Sequence, residues 1–116
     1  MFTLEQARDE FAKLRPHVDE LLIRRADLAE LRADIAAGRG SPHGRLAEAK
    51  AWEAALFAEL ERFAETGAQV KGFAPVLLDY PGERGGVEVL WCWVEGEPGI
   101  NWYHRADAGF AGRRPV

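Results

Sequence analysis

The chain has a single cysteine, Cys92, and no hydrophobic run of the length that crosses a bilayer. A lone thiol excludes an intramolecular disulfide and is typical of a reducing compartment. A transmembrane helix needs about 20 consecutive apolar residues, and no window of the sequence approaches that length. The first residues lead directly into charged, helix-forming sequence without the apolar region of a signal peptide. We therefore expect a cytoplasmic protein with no membrane partner.

Positive charge is also scarce. The 15 lysine and arginine residues are outnumbered by 19 acidic residues, for a net charge of −4. Nucleic-acid binders normally present a basic patch, so we expect no nucleic-acid partner. The glycines at 82, 85 and 86 precede no predicted helix, which excludes the phosphate-binding loops of nucleotide enzymes. No serine-centred nucleophile elbow occurs either.

The first part of the chain predicts a long amphipathic helix. Thr3 and Gln6 have the spacing of a capping box at its start. Apolar residues then recur in steps of three and four up to Leu21, the period of a helix with one buried face. Pro16 interrupts this pattern without shifting its phase, so we favour a kink over a helix end.

A second helix follows a glycine-rich break. Ser41 as N-cap and Pro42 as first helical residue predict its start, and Gly67 predicts its end. Because the break between the helices is short, we expect an antiparallel two-helix hairpin over residues 1–67.

The last third changes from helical to strand periodicity. Residues 68–116 predict a three-stranded antiparallel β meander and an irregular C-terminal tail, with strands at 76–80, 87–94 and 100–104. Residues 69–73 are a candidate for a fourth, short edge strand. The expected fold is a single α+β domain spanning residues 1–116.

Two turns set the expected strand register. A turn centred on Glu97 places Cys92 opposite Trp102, and a turn between residues 83 and 84 places Asp79 opposite Glu88. The apolar face, on which we expect the helices to pack, then consists of Val76, Leu78, Tyr80, Val87, Val89, Trp91, Trp93 and Tyr103. The mixed face consists of Asp79, Glu88, Leu90, Cys92, Trp102 and His104.

The mixed face carries the candidate metal ligands Asp79, Cys92 and His104. A thiolate, an imidazole and a carboxylate are ligands that zinc uses, and the same groups can form a nucleophile, its base and an orienting acid. Their spacing is not diagnostic, because the sequence contains neither a CxxC nor an HExxH motif. A buried thiol and a histidine bonded to a carboxylate remain the structural alternative. The cofactor of the metal alternative would be a divalent ion such as zinc.

Three further residues are candidates for ligand binding. Arg113 can form two parallel hydrogen bonds with a carboxylate or phosphate. Glu97 can act as an acid or base if it is buried, and Trp102 can stack on a ligand. Solvation or core packing remains the alternative for each. By contrast, His17 and His43 are expected to be solvated.

Several segments of the chain together carry a family likeness: residues 2–7, 76–81, 90–93, 96–97, 102–104 and the tail 109–115. With these segments the chain resembles domain of unknown function 2203, a family of small bacterial proteins. The resemblance covers essentially the whole chain and implies a full-length single domain without implying an activity.

We therefore hold two functional hypotheses. The first is a non-enzymatic protein that forms a homo-oligomer, with a dimer favoured, or binds a protein partner through its helical hairpin. It rests on the outer apolar residues Leu22, Leu31 and Phe57, which a small sheet would not cover. The alternative is a metal- or small-ligand-binding protein, including the case of an enzyme, that uses the three candidate ligands together with Glu97.

Overall fold

The computed structural model describes residues 1–40 and 42–116, and the side chains of the second helix from Arg45 onward. Ser41 as N-cap and His43 as a solvated side chain lie outside the described residues. The elements are α1 (Leu4–Ala36), α2 (Pro42–Glu65), β1 (Gln69–Phe73), β2 (Val76–Arg84), β3 (Val87–Val94), β4 (Trp102–Arg105), a 3-10 turn (Phe110–Gly112) and β5 (Arg114–Pro115).

The strands form one antiparallel sheet in the order β1-β2-β3-β4-β5. The α+β class is thus confirmed, but the prediction of three strands was wrong, as was the irregular tail. In β5, Arg114 pairs with Tyr103 and Pro115 with Trp102. A two-residue strand carries no period-two pattern, so its pairing depends on the open edge that β4 offers and not on its own sequence.

The capping box at the start of α1 is confirmed. The backbone N–H of Thr3 donates to Gln6 Oε1 at 2.9 Å, and the backbone N–H of Gln6 donates to Thr3 Oγ1 at 3.1 Å. The helix then continues through Pro16 to Ala36 without a break. Neither described helix has an apolar stretch of the length and purity that a bilayer crossing requires.

The chain divides into two compact units, one of Met1–Leu14 with Phe63–Val116 and the other of Arg15–Arg62. In the second unit the helices pair antiparallel, as expected for a hairpin. His17 Nδ1 lies 4.0 Å from Glu59 Oε1, whereas Arg32, later in α1, pairs with Glu53, earlier in α2.

Of the apolar residues expected on the outside of the hairpin, only Phe57 is exposed. The expectation was wrong for Leu31, which is buried, while Leu22 is half-buried. Leu31 lies three residues after the buried Leu28, so the turn of the helix brings it to the same inward face.

The turn between β2 and β3 differs from the prediction. Its central residues are Gly85 and Gly86, with φ of 59° and 80°, as a two-residue hairpin turn of type I′ requires. Asp79 therefore pairs with Cys92, and its predicted pairing with Glu88 was wrong. Because the partner moves by four residues, an even number, the assignment of side chains to the two faces is unchanged.

The apolar face of the sheet lies in the first unit together with the start of α1. The ring of Phe11 lies 4.8 Å from that of Trp93. Phe2 forms a parallel bridge to Gly82, and its carbonyl accepts a 2.9 Å hydrogen bond from Trp91 Nε1. This contact anchors the N-terminus to the middle of the sheet and leaves no room for a side chain at position 82.

We predict that Gly82→Ala lowers the free energy of unfolding by about 1–3 kcal/mol, because a forced contact shifts a packed core. A methyl group there would lie 2.3 Å from Trp91 Nε1 and 2.4 Å from the Phe2 carbonyl oxygen. Urea unfolding followed by tryptophan fluorescence measures the change. Gly99→Ala is the matched control: a methyl group there meets nothing within 4 Å, so its effect should stay within about 0.5 kcal/mol. Equal losses in the two variants would contradict the prediction.

A candidate metal centre on the mixed face of the sheet

The three candidate metal ligands come from three neighbouring strands. Asp79 on β2 pairs with Cys92 on β3, and Cys92 pairs with Trp102 on β4. His104 follows two residues after Trp102, and the period of a strand places it on the same face. All three are buried, and one ligand atom from each lies within 4.8 Å of the others. The structure thus brings together the residues that the sequence had suggested.

The hydrogen bond of His104 determines which ring nitrogen faces the other two residues. Its Nδ1 lies 2.8 Å from the carbonyl oxygen of Arg105. A carbonyl oxygen only accepts, so Nδ1 carries a proton and donates it to this bond. In the neutral ring the lone pair is then on Nε2, which lies 3.4 Å from Asp79 Oδ2. A backbone acceptor on one nitrogen and a free lone pair on the other is the usual arrangement of a metal-binding histidine.

Asp79 is a buried carboxylate with little compensating charge. Among the described residues no lysine or arginine pairs with it, and its contact with His104 Nε2 is an ion pair only when the imidazole is protonated. Burial of an uncompensated carboxylate is costly, so the space between Asp79 and His104 favours a cation. That cation is either a proton on Nε2 or a metal ion.

Cys92 is held in its thiol form when no metal is bound. Burial raises its pKa to about 12, the neighbouring Asp79 carboxylate adds to the rise, and the Arg113 guanidinium opposes it. The reactive form of cysteine is the thiolate, so this environment does not favour a nucleophile at neutral pH. Coordination to a metal ion, by contrast, deprotonates a thiol outright.

Glu97, Arg113 and Trp102, the other candidate residues, form a second cluster beside the first. The guanidinium of Arg113 donates a 2.6 Å hydrogen bond to Glu97 Oε1 and lies 5.1 Å from the centre of the Trp102 ring. Glu97 Oε1 also accepts from the backbone N–H of Val94 at 2.8 Å. These residues join the β3–β4 turn to the C-terminal tail, and Glu97 is not brought into the group of metal ligands.

The three metal ligands line one cavity of about 280 Å³. The rest of its wall comes from β1, β2, β3 and the segment after β4, and only Leu90 of this wall was predicted to lie on the mixed face. The described residues of that wall are Lys71, Leu77, Leu90, Ala106, Gly109 and Phe110. A metal ion or small molecule bound to any of these three residues would therefore be accessible from this cavity.

We predict that Cys92 reacts with iodoacetamide at pH 8 at least about 100-fold more slowly in the native, metal-free protein than in urea, since burial both shields the thiol and suppresses the thiolate. In urea the pKa returns towards its ordinary value of about 9. The reaction is followed by mass spectrometry. The native rate should rise with pH across the range between 9 and 12. Equal rates in the two conditions at pH 8 would contradict the burial of this thiol.

Comparison with known proteins identifies the family. A family model described as an uncharacterized conserved protein, DUF2203, matches residues 1–116 and confirms the resemblance over the whole chain. No curated protein and no solved structure matches the chain.

Proposed function

We propose that this chain, which belongs to the DUF2203 family, binds a divalent transition-metal ion, foremost zinc, through Asp79, Cys92 and His104. One observation carries the proposal. An imidazole nitrogen, a thiol sulfur and a carboxylate oxygen meet on one buried face, and the imidazole is anchored through its other nitrogen. Soft thiolate together with imidazole favours zinc, cobalt or copper over magnesium and calcium.

The distances between the ligand atoms support this choice. Zinc bond lengths of about 2.0–2.3 Å place tetrahedral ligand atoms about 3.3–3.8 Å apart. The distance between Asp79 Oδ2 and His104 Nε2 is already 3.4 Å. One ligand atom from each residue, Cys92 Sγ among them, lies within 4.8 Å of the others, so closure to zinc distances requires a movement of at most about 1 Å. A side-chain rotation supplies a movement of that size.

The charges of the Asp79 and Cys92 side chains also support the binding of a divalent metal ion. In the metal-free state the site contains a buried carboxylate and a buried thiol that remains protonated. A divalent ion bound to Asp79 and to the Cys92 thiolate gives a neutral site, which removes the penalty for burying the carboxylate. The proton released by Cys92 makes binding stronger as the pH rises.

We predict one zinc ion per chain, measured by native mass spectrometry after dialysis against zinc without chelator. At zinc concentrations 100-fold above the dissociation constant, the folded state should gain about 2.7 kcal/mol. Replacement of zinc by cobalt should give a thiolate-to-cobalt charge-transfer band in the near ultraviolet, and this band should be absent in Cys92→Ser.

The variants Asp79→Asn, Cys92→Ser and His104→Gln should each weaken zinc binding at least about 100-fold, because each removes one of three ligands. His17→Gln is the matched control, since His17 lies on α1 with an exposed side chain. Circular dichroism identifies variants that remain folded without metal. Binding of zinc at full strength by a folded His104→Gln variant would overturn the proposal.

Self-association through α2 is a second candidate function. Leu46 and Phe57 are 52 % and 58 % exposed. They are 11 residues apart, about three helical turns, and therefore lie on the same side of α2. Two large apolar side chains exposed on one helix side favour a contact with a second copy of the chain or with another protein.

For this second candidate we predict a dimer in light scattering coupled to size exclusion, converted to a monomer by Phe57→Lys or Leu46→Lys, because a charge at the contact resists desolvation. Ile23→Lys is the control, as Ile23 is 63 % exposed but lies on α1. A mass of 12.9 kDa for the unmodified protein at millimolar concentration would contradict self-association.

A further inference from the structure

The cavity beside Asp79, Cys92 and His104 is mostly apolar, whereas the three ligands themselves are polar. Apart from the three ligands, most of its described wall is apolar and comes from Leu77, Leu90, Ala106 and Phe110. Its volume of about 280 Å³ lies just below the roughly 300–1,000 Å³ of sites for drug-sized ligands. A cavity of this size and lining suits a small organic molecule with an apolar portion.

Lys71 is the only lysine or arginine among the described residues of the cavity wall. It lies on β1, where the pairing with β2 is irregular between Val70 and Gly72. Among the described residues no carboxylate forms an ion pair with Lys71. Arg113, the other cation near Cys92, is instead engaged by Glu97. Lys71 is therefore the cation of this cavity that is available to a ligand.

Three protein ligands leave one coordination position of the metal ion for the small organic molecule. Structural zinc sites use four protein ligands, whereas three protein ligands leave a fourth tetrahedral position for water or an exogenous group. Since all three ligands line the cavity, a fourth position would face it. A divalent ion bound to Asp79 and the Cys92 thiolate gives a site without net charge. The positive charge of Lys71 then remains to be balanced.

We propose that the cavity binds a small monocarboxylate with an apolar group, whose carboxylate occupies the open metal position beside Lys71 and whose apolar group contacts Leu77, Leu90 and Phe110. This inference rests on the proposed metal site. A single negative charge matches Lys71, the one cation among the described residues of the cavity wall, and carboxylate oxygen is an established zinc ligand. The apolar group fills the remainder of the cavity and adds the free energy of its removal from water.

The test uses the full chain loaded with cobalt, and benzoate as the probe. Benzoate should change the visible spectrum of the bound cobalt in a saturable manner. Benzamide, which has the same shape without the charge, and acetate, which lacks the apolar group, should each bind at least about tenfold more weakly. Lys71→Gln should weaken benzoate binding at least about tenfold while leaving zinc affinity unchanged, and Lys13→Gln, on α1, should change neither.

The outcomes separate the two proposals. Absence of the cobalt charge-transfer band overturns the metal site, and with it the carboxylate inference. A normal band with a spectrum that benzoate does not alter at millimolar concentration overturns the carboxylate inference alone. Equal binding of benzoate and benzamide, or by the protein and its Lys71→Gln variant, likewise overturns it. Ala106→Phe, which fills the cavity, should abolish the benzoate effect and retain the cobalt band.

Discussion

The register of β2, β3 and β4 is the constraint on which the sheet and its candidate site depend. Gly85 and Gly86 close the β2–β3 hairpin with positive φ at both positions, which aligns Asp79 with Cys92. The β3–β4 turn is held by Glu97, whose carboxylate accepts from the Val94 N–H and whose carbonyl accepts from Trp93 Nε1. A slip of one residue in either hairpin would separate the candidate ligands onto opposite faces.

The two faces of the sheet are stabilised by different interactions. The apolar face buries large side chains such as Tyr80 and Trp93, and hydrophobic burial accounts for its stability. The mixed face buries a carboxylate, an imidazole and a thiol within 4.8 Å of one another, which hydrophobic burial alone does not explain. Polar groups in such a position reduce stability unless they are well paired. The Arg105 carbonyl pairs one nitrogen of His104, and the metal ion proposed above would pair the remaining ligand atoms.

Much of this arrangement could be predicted from the sequence, and the exceptions have physical causes. The capping box at Thr3, the α+β class and the membership of each face follow from local spacing and from strand periodicity. The pairing of Asp79 was mispredicted because the turn was centred by symmetry instead of on the two glycines, yet the even shift preserved the faces. The strand β5 and the contribution of Lys71 to the cavity depend on contacts between distant segments, for which short sequence patterns carry no signal.

The C-terminal tail shows how strongly a site can depend on such a segment. The pairing of β5 with β4 and the hydrogen bond from the Val116 N–H to the Asn101 carbonyl fix the end of the chain to the sheet. This attachment holds Arg113 against Glu97 and brings Gly109 and Phe110 to the cavity wall. The tail thus supplies the cover that the mixed face would otherwise lack, so the burial of the candidate ligands is set by tertiary pairing as much as by the strands that carry them.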